Sequence, residues 1–395
     1  MKRTTLAALV LATFFAPLGT QGEYKFFSPP GSFAVEVSLE NSSLLRLPMY
    51  RNAIVSLEIT GKYAVGGTAA APGLSPFLFA VSLPERRMES VLDLGAVAPG
   101  QREIRSGFAR GGAGILYAGT TPDKGAGGHL IEVRLTDGRI TAIDLGIPVP
   151  AEGIFALASD TSAKRLYGIT HPSGRFFTCD FLGRDVRLFS DTALSTRTLA
   201  ALHDYAVGPD DVLCRRLAVD RSGRVFGSAP INRLFRFDPG TGKITFLADE
   251  LPEVWGRRPL GRVEAWALAP DGQLYGGCAG DGQLFRVDPA TDKVTNLGKP
   301  AMMPGMPGLA FGADGRLYGV AGVPPGYAHL FAYDPRRGGY TDLGNPRFPM
   351  TEPGIEQGIW WRGFRIATVA ASEDGRFIVL GEEEALSQLM AFPVP

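Results

Sequence analysis

The sequence predicts an all-β protein in which copies of a four-stranded sheet form one closed ring. The first observation is a repeat: "DGQLYGGCAGDGQLFRVDPATDKVTNLG" at 271–298 returns in altered form as "DGRLYGVAGVPPGYAHLFAYDPRRGGYTDLG" at 314–344. The second is the composition of the 395-residue chain, which is 45% hydrophobic and 20% charged, with 51 glycines and 30 prolines spread along its length. Such usage favours a turn-rich β protein over a disordered chain.

Seven copies of the repeat can be counted. Each places an aromatic or apolar residue before a small one and then an apolar pair; the copies centre on Tyr63, Tyr117, Tyr167, Phe226, Tyr275, Tyr318 and Ile378. Apolar runs such as "IFALAS" and "WALAPD" precede the copies, so each unit contains four short strands, here named A to D. Short strands joined by Gly and Asp turns are typical of the blades of a β-propeller, which bury their faces against one another.

The seventh copy ends at "QLMAFPV" without a fourth strand. Near the N-terminus, "SFAVEVSLE" at Ser32–Glu40 alternates apolar and polar residues as a strand does. We expect this segment to complete the last blade, because pairing the two chain ends leaves no open edge between the first and last blades. The predicted fold is therefore a seven-bladed β-propeller of four-stranded antiparallel blades, closed by an N-terminal strand in the last blade.

Residues 1–22 have the pattern of a secretory signal peptide. Two basic residues precede an apolar run at 6–18, and small residues follow at cleavage spacing. The run is short for a membrane span, and no other segment reaches about 18 unbroken apolar residues; an uncleaved anchor is the alternative. We expect a secreted or periplasmic protein without a membrane span, in which 23–395 form a single propeller domain.

Charge and cysteine content argue against several classes of function. Forty basic and forty acidic side chains cancel, so no global field attracts nucleic acid or anionic membrane, and we expect neither as a partner. Cys179, Cys214 and Cys278 fit no zinc-binding spacing. We interpret them as small buried hydrophobic residues, with one disulfide bond as the alternative. The sequence requires no cofactor, and a divalent metal would have to be held between blades.

The repeat resembles the broad superfamily of secreted propellers of the quinoprotein-like, SMP-30-like and kelch-like kinds. The resemblance rests on "D-G-x-L-Y-G" and "L-F-x-x-D-P" and covers about residues 50–393. It implies the fold and says little about activity. The "GH…WD" pair of WD40 repeats and the tryptophan docking repeat of quinoproteins are absent from the sequence. We therefore expect no pyrroloquinoline quinone site.

Strand directions place the long loops at one end of the ring. Because strands alternate in direction, the B–C loops share an end with the links from strand D to the next strand A, whereas short Asp/Gly turns occupy the other end. Long loops on a rigid scaffold usually carry function. We expect a funnel at this end, lined by arginines, aromatic rings and carboxylates. Its predicted substrate-binding residues are His129, Arg216, Trp255, Arg258, Glu264, Trp266, His329, Trp360, Trp361 and Arg365.

All four histidines fall at the predicted loop-rich end. His171 occupies a B–C loop and His203 lies in the longest link, while His129 and His329 begin strand C of their blades. The position at the start of strand C is polar in six of the seven copies, which suggests a collar; the alternative is that these residues cover blade faces near the rim. Histidine titrates near neutral pH and therefore suits acid–base catalysis.

Two functions from different classes fit these residues. The first is β-elimination on a uronate-containing saccharide, which needs a cation at the carboxylate, a base for the neighbouring proton and an acid for the leaving oxygen. The predicted catalytic residues are Arg215 as the cation (with Arg365 as the alternative), His171 or His203 as the base, and Tyr205 as the acid. This set is similar in outline to that of propeller polysaccharide lyases.

A hydrolase would instead use two facing carboxylates, for which Glu264 and Glu356 are the weaker candidate pair. The second function is a non-catalytic propeller, in which the same arginines and tryptophans anchor a protein or a glycan. We expect a monomer whose partner is an acidic polysaccharide or oligosaccharide. The sequence leaves open whether the protein is an enzyme.

Overall fold

The computed structural model describes eight segments: residues 25–37, 53–123, 127–204, 206–253, 261–322, 327–352, 359–384 and 387–395. The predicted signal peptide at 1–22 lies outside them, as do Tyr205, Trp255, Arg258 and Glu356 among the predicted site residues. The described residues are mostly β-strand, with two short helices, Thr196–Asp204 (α1) and Pro209–Val212 (α2).

Within the described segments, the main strands form seven antiparallel groups of four. From blade 1 to blade 7, the A strands are Ala53–Thr60, Phe108–Gly112, Gly153–Asp160, Ala218–Val219, Val263–Leu268, Gly308–Phe311 and Ile366–Ala371. The B strands are Tyr63–Ala69, Ile115–Gly119, Arg165–His171, Val225–Ala229, Leu274–Cys278, Leu317–Ala321 and Phe377–Glu382. The C strands are Phe77–Ser82, Leu130–Thr136, Phe176–Asp180, Arg233–Asp238, Leu284–Asp288, His329–Asp334 and Gln388–Pro393. The D strands are Arg87–Asp93, Arg139–Asp144, Arg187–Phe189, Lys243–Glu250, Lys293–Gly298, Gly339–Glu352 and Phe33–Glu36.

The A strands line the centre of a closed ring. Strand A of each blade contacts strand A of the next, and strand A of blade 7 contacts strand A of blade 1. Four shorter strands lie outside the blades: Phe26–Phe27, Gln101–Glu103, Thr121–Pro122 and Trp360–Arg362. The prediction of an all-β propeller is confirmed, and the sheets are consistent with the predicted number of blades.

The N-terminal strand closes the last blade, as predicted. Phe33–Glu36 pairs antiparallel with Gln388–Pro393, and Val35 lies opposite Leu389. The other edge of Phe33–Glu36 pairs in parallel with the long D strand of blade 6, where Ala34 lies opposite Met350. Three consecutive residues, from Phe33 to Val35, are fully buried. Both edges of the closing strand are therefore occupied, and the ring has no free edge at this joint.

The repeated phrase has a packing reason. A glycine in strand B leaves room for the phenylalanine ring of strand C in the same blade. A Cβ atom built on Gly276 would lie 2.2 Å from Cζ of Phe285, which is closer than any real contact. The same arrangement occurs in five blades, in the pairs Gly66–Phe79, Gly168–Phe177, Gly227–Phe235, Gly276–Phe285 and Gly319–Phe331. The repeated "Y-G" and "L-F" therefore specify a contact in which the phenylalanine ring of strand C packs on the backbone of the glycine in strand B.

The three cysteines are buried, and none forms a disulfide bond. Burial raises the pKa of the Cys179 thiol to about 12. This placement agrees with the interpretation of the cysteines as small hydrophobic residues. Among the described helices, none has the length and apolar character needed to cross a membrane.

Candidate functional site

A cavity of about 180 Å³ opens at the loop-rich end of the ring. Several blades contribute to it, and it is lined by Val55, Arg105, Arg215, Arg216, Arg262, Glu264, Pro307, Gly322, Arg365, Ile366, Ala367 and Glu383. Its arginines lie in links that precede strand A, whereas Gly322 and Glu383 directly follow strand B. Links and B–C loops thus meet at one end, as the alternation of strands requires. We call this site the arginine cavity.

Glu383 joins two of the arginines on one wall. Its Oε1 lies 2.8 Å from Nη2 of Arg105 and its Oε2 lies 3.3 Å from Nε of Arg365, while Nε of Arg105 also reaches Glu103 at 2.9 Å. Burial opposes charge on Glu383, but Arg105 and Arg365 outweigh it and hold the pKa of Glu383 below its usual value. These four groups largely neutralise one another.

Arg262 and Glu264 form a second charged pair at the start of strand A in blade 5. Nη2 of Arg262 lies 3.5 Å from Oε1 of Glu264, and its Nη1 donates to the backbone carbonyl of Asp211. Oε2 of Glu264 accepts a hydrogen bond of 2.9 Å from the backbone N–H of Met306. Nε of Arg262 is buried and makes no hydrogen bond to any residue in the described segments. The pair is therefore well fixed but leaves one charged donor unused.

Arg216 is held by backbone carbonyls. Its Nη1 donates to the carbonyls of Arg105 and Arg215 at 2.9 and 3.0 Å, and its Nη2 donates to that of Val55 at 3.4 Å. The thiol of Cys214 donates to the carbonyl of Arg216 at 3.0 Å and helps to fix the backbone at Arg216. Burial, followed by the charge of Arg105, lowers the pKa of Arg216 to about 10, so the group stays protonated at neutral pH. Arg216 thus ties blade 4 to blades 1 and 2 across the ring.

Arg215 forms no ion pair with a carboxylate of the described segments. Its Nη2 donates to the backbone carbonyl of Asp210 at 3.3 Å, and its guanidinium lies 5.4 Å from the ring centroid of Phe155. Its Nε is buried and has no hydrogen-bond partner among the residues that the structure describes. Burial, followed by the charges of Arg262 and Arg105, lowers the pKa of Arg215 to about 10. Arg215 and Arg216 therefore give the cavity positive charge that no carboxylate within the described part of the chain offsets by direct pairing.

His171 lies beside Arg215. Its ring stacks on Phe155 with centroids 5.2 Å apart, and its Nε2 lies 2.8 Å from Oδ1 of Asp210, the residue whose carbonyl binds Arg215. The hydrogen bond from His171 is the main cause of a lowered pKa at Asp210. A carboxylate at Nε2 keeps the proton on that nitrogen, so Nδ1 is the basic nitrogen of the neutral ring. His171 is not a lining residue, but it shares two neighbours, Phe155 and Asp210, with Arg215.

The other three histidines lie away from the cavity. The side chain of His203 is 92% exposed on α1. Nδ1 of His129 lies 2.8 Å from Asp144, and Nδ1 of His329 lies 3.7 Å from Asp342. Both aspartates stand in the outermost strands of their blades, and each also accepts the backbone N–H of the glycine two positions later. These contacts favour the rim-covering interpretation of strand C over a collar.

The described tryptophans have different surroundings. Trp266 packs edge-on against Phe285, 5.3 Å between centroids, beside the apolar core between blades. Trp361 is half-buried and donates its Nε1–H to Glu382 at 2.7 Å. Trp360 is 49% exposed. Packing accounts for the position of Trp266, and a hydrogen bond accounts for that of Trp361. Of these three tryptophans, Trp360 is therefore the one that offers a ring face to a ligand.

Four residues of the site were not predicted from the sequence: Arg105, Phe155, Asp210 and Glu383. Arg105 stands in the short link "GQREIRSG", which has neither the length nor the aromatic content of the other links. Glu383 directly follows strand B of blade 7, and its place in a B–C loop was the available signal. Predicted residues that do line the cavity are Arg215, Arg216, Glu264 and Arg365.

The described segments contain no group of three or more His, Cys, Asp or Glu side chains arranged to hold a metal ion. Near the arginine cavity, the acidic groups are instead engaged by guanidinium or backbone N–H groups. The excess of guanidinium groups suits the binding of an anion.

No known protein-family profile matches the chain, and no curated protein is significantly similar to it. Solved structures are similar in fold. A catalytically inactive virginiamycin B lyase from Staphylococcus aureus, solved with quinupristin, aligns with a TM-score of 0.60 at 11% identity over 92% of this chain and 100% of that one. The RRP9 WD40 repeats align with a TM-score of 0.58 at 10% identity over 87% and 95% of the two chains. The Myceliophteria thermophila Cps50 (Swd1) β-propeller domain aligns with a TM-score of 0.54 at 11% identity over 87% and 97%. At such low identity these similarities establish that the chain has the β-propeller fold, and they establish no activity.

Proposed function

We propose that the protein binds an acidic saccharide, with a carboxylate of the ligand held by Arg215 in the arginine cavity. The observation that carries the proposal is a cavity lined by five arginines and two glutamates, in which Arg215 has no ion pair with a carboxylate of the described segments. A carboxylate in the cavity would offset the excess positive charge. Guanidinium groups bind carboxylates through two parallel N–H···O bonds, which adds orientation to affinity.

The size of the cavity supports a small ligand group. Its volume is about 180 Å³, whereas pockets for drug-sized ligands measure about 300–1,000 Å³. One sugar unit fits this space better than a longer segment. Glu264 and Glu383 can accept hydrogen bonds from hydroxyl groups, which a sugar acid offers beside its carboxylate. We also propose that the protein is secreted, because residues 1–22 have the pattern of a signal peptide.

Calorimetric titration with galacturonate and glucuronate, and with galactose and glucose, tests this function. We expect the acids to bind, more weakly at high salt, and the neutral sugars not to bind. Arg215→Met should lower the affinity for the acids by about 10- to 100-fold, as loss of a charged hydrogen bond does. The matched control is Arg187→Met, because Arg187 is 67% exposed on the outermost strand of blade 3. Equal affinity for inorganic sulfate, or unchanged affinity in Arg215→Met, would contradict the proposal.

A second candidate function is β-elimination, and the placement of His171 favours it. In this reaction Nδ1 of His171 would take the proton beside the carboxylate, the electrons would form a carbon–carbon double bond, and the bond to the leaving oxygen would break. Arg215 would stabilise the negative charge that develops on the carboxylate. An acid must protonate the leaving oxygen, and Tyr205, the predicted acid, lies outside the described residues.

Ultraviolet absorbance of the unsaturated product separates the two functions. A lyase generates this absorbance from polygalacturonate or alginate, and His171→Ala abolishes it while the affinity for galacturonate persists. A binding protein gives no absorbance change with either polymer, and His171→Ala then changes neither the absorbance nor the affinity for galacturonate. Tyr205→Phe provides the matching test of the predicted acid.

A further inference from the structure

We propose that Glu382 makes the affinity of the arginine cavity for its anionic ligand depend on pH. Glu382 does not line the cavity; it acts as a positioning residue that holds the link carrying Arg365 to the cavity wall. The inference rests on the proposed function, because it concerns the regulation of the same site. The observation that carries it is a fully buried carboxyl group directly before Glu383, a lining residue, on the chain.

Three consecutive glutamates end strand B of blade 7 and begin the loop that follows it, at 382–384. Glu383 is neutralised by Arg105 and Arg365, at 2.8 and 3.3 Å. Glu382 is fully buried instead, and no arginine, lysine or histidine of the described segments forms an ion pair with it. A buried charge without a partner is costly, so a carboxyl group in this position keeps its proton at neutral pH.

The link into blade 7 is fastened to this pair of glutamates. Oε2 of Glu382 accepts a hydrogen bond from Nε1 of Trp361 at 2.7 Å, and its Oε1 accepts one from the backbone N–H of Phe364 at 2.9 Å. The N–H of Glu383 donates to the carbonyl of Arg365 at 2.7 Å, in addition to the ion pair between their side chains. A charge on Glu382 therefore lies one residue from a carboxylate of the cavity wall and behind the link that carries a cavity arginine.

The groups that face Glu382 are neutral or negative. Trp361 and Phe364 reach it from the link, the backbone of Gln388 reaches it from strand C, and the charge of Glu384 acts on it from its own loop. Burial, to which Glu384 adds, outweighs the hydrogen bonds and raises the pKa of Glu382 to about 8. Glu382 is therefore neutral below this pH and becomes negative as the pH rises through it.

Loss of this proton should weaken ligand binding. The pKa values of Arg215 and Arg216 stay at about 10, so both groups keep most of their charge while Glu382 titrates. The new negative charge offsets part of their excess and should lower the affinity for an anion by about 3- to 10-fold, as one added charge near a partly buried site does. By linkage, a bound anion raises the pKa of Glu382, so binding near pH 8 should take up a fraction of a proton.

Calorimetric titration with galacturonate from about pH 7 to about pH 9 tests the inference, because the sugar acid itself stays ionised over this range. We expect the affinity to fall with a midpoint near 8, and the heat to vary with the ionisation enthalpy of the buffer as proton uptake requires. Glu382→Gln, which has no proton to lose, should remove both effects. The matched control is Glu253→Gln: burial and Asp281 also raise the pKa of Glu253 to about 8, but its hydrogen bond is with Gly280 on blade 5. This control should keep the wild-type pH dependence.

Trp361→Phe separates a titrating role from a merely structural one. It removes a hydrogen bond that favours the charged form of Glu382, so the midpoint should move upward by about half to one pH unit. A merely structural role would change the affinity equally at every pH and leave the midpoint in place. This variant also decides the question if Glu382→Gln does not fold.

The outcomes distinguish this inference from the proposed function. If the affinity of the wild type is constant over the pH range, if Glu253→Gln and not Glu382→Gln removes its variation, or if Trp361→Phe leaves the midpoint unchanged, the inference is wrong. Binding of galacturonate through Arg215 at neutral pH then still stands. If galacturonate binds to the wild type at no pH, both are wrong.

Discussion

Replacing Arg215 by methionine should stabilise the unliganded protein while it weakens ligand binding. Burial and the charges of Arg262 and Arg105 lower the pKa of Arg215 from 12.5 to about 10, which corresponds to about 3 kcal/mol of unfavourable free energy for the charged form. Methionine loses the hydrogen bond to the Asp210 carbonyl and the contact with Phe155, each of which contributes about 1 kcal/mol. The expected net gain is about 1 kcal/mol.

Thermal denaturation with and without galacturonate measures both effects. We expect the Tm of Arg215→Met to exceed that of the wild type by about 1 °C in the absence of ligand, since the unfolding entropy of a domain of this length is large. Ligand at about 100 times the wild-type Kd should stabilise the wild type by about 2.7 kcal/mol and the variant, whose affinity is about 10- to 100-fold lower, by only about 0.4–1.4 kcal/mol. The control Arg187→Met should match the wild type in both conditions. A variant that melts several degrees lower than the wild type, or that galacturonate stabilises as much as it stabilises the wild type, would refute the reasoning about uncompensated charge.

The remaining predictions concern the scaffold. Phe33→Ala in the fully buried closing strand should lower the free energy of unfolding, measured by urea denaturation, by about 3–5 kcal/mol. A decrease below about 1 kcal/mol would show that this strand does not close the ring. Burial and Asp281 raise the pKa of Glu253 to about 8. Between about pH 4.5 and 8 the folded state therefore keeps a proton on Glu253 that the unfolded state has released, so the free energy of unfolding should fall as the pH rises through this range. The fall should be smaller in Glu253→Gln. Burial raises the pKa of all three thiols, so a thiol reagent at neutral pH should find none in the native protein and three after unfolding; fewer after unfolding would indicate a disulfide bond.

The fold could be predicted from the sequence because its determinants are local and repeated. Each blade contains its own strand signals, and the glycine–phenylalanine pairs, such as Gly276 with Phe285, recur at fixed spacing. The closing strand was the one long-range element, and it was identified because "SFAVEVSLE" alternates in a part of the chain that the repeat leaves unused. Counting repeats therefore determined both the number of strands and the place of the chain ends.

The site was harder to predict because its contacts join distant parts of the chain. Alternating strand direction correctly grouped Arg215, Arg216 and Arg365 at one end, but no sequence pattern pairs Arg105 with Glu383, which are 278 positions apart. Histidine content was also a poor guide. His129 and His171 both fall at the loop-rich end, yet one pairs with an outermost strand and the other with Asp210. Side-chain direction at the end of a strand depends on register, which the repeat pattern did not determine.

A crystal structure of the protein soaked with galacturonate would test the central claim most directly. The account predicts density for the sugar acid in the arginine cavity, with its carboxylate within hydrogen-bonding distance of the Arg215 guanidinium. It would be contradicted by an arginine cavity that stays empty at saturating galacturonate, or by a sugar bound elsewhere on the ring.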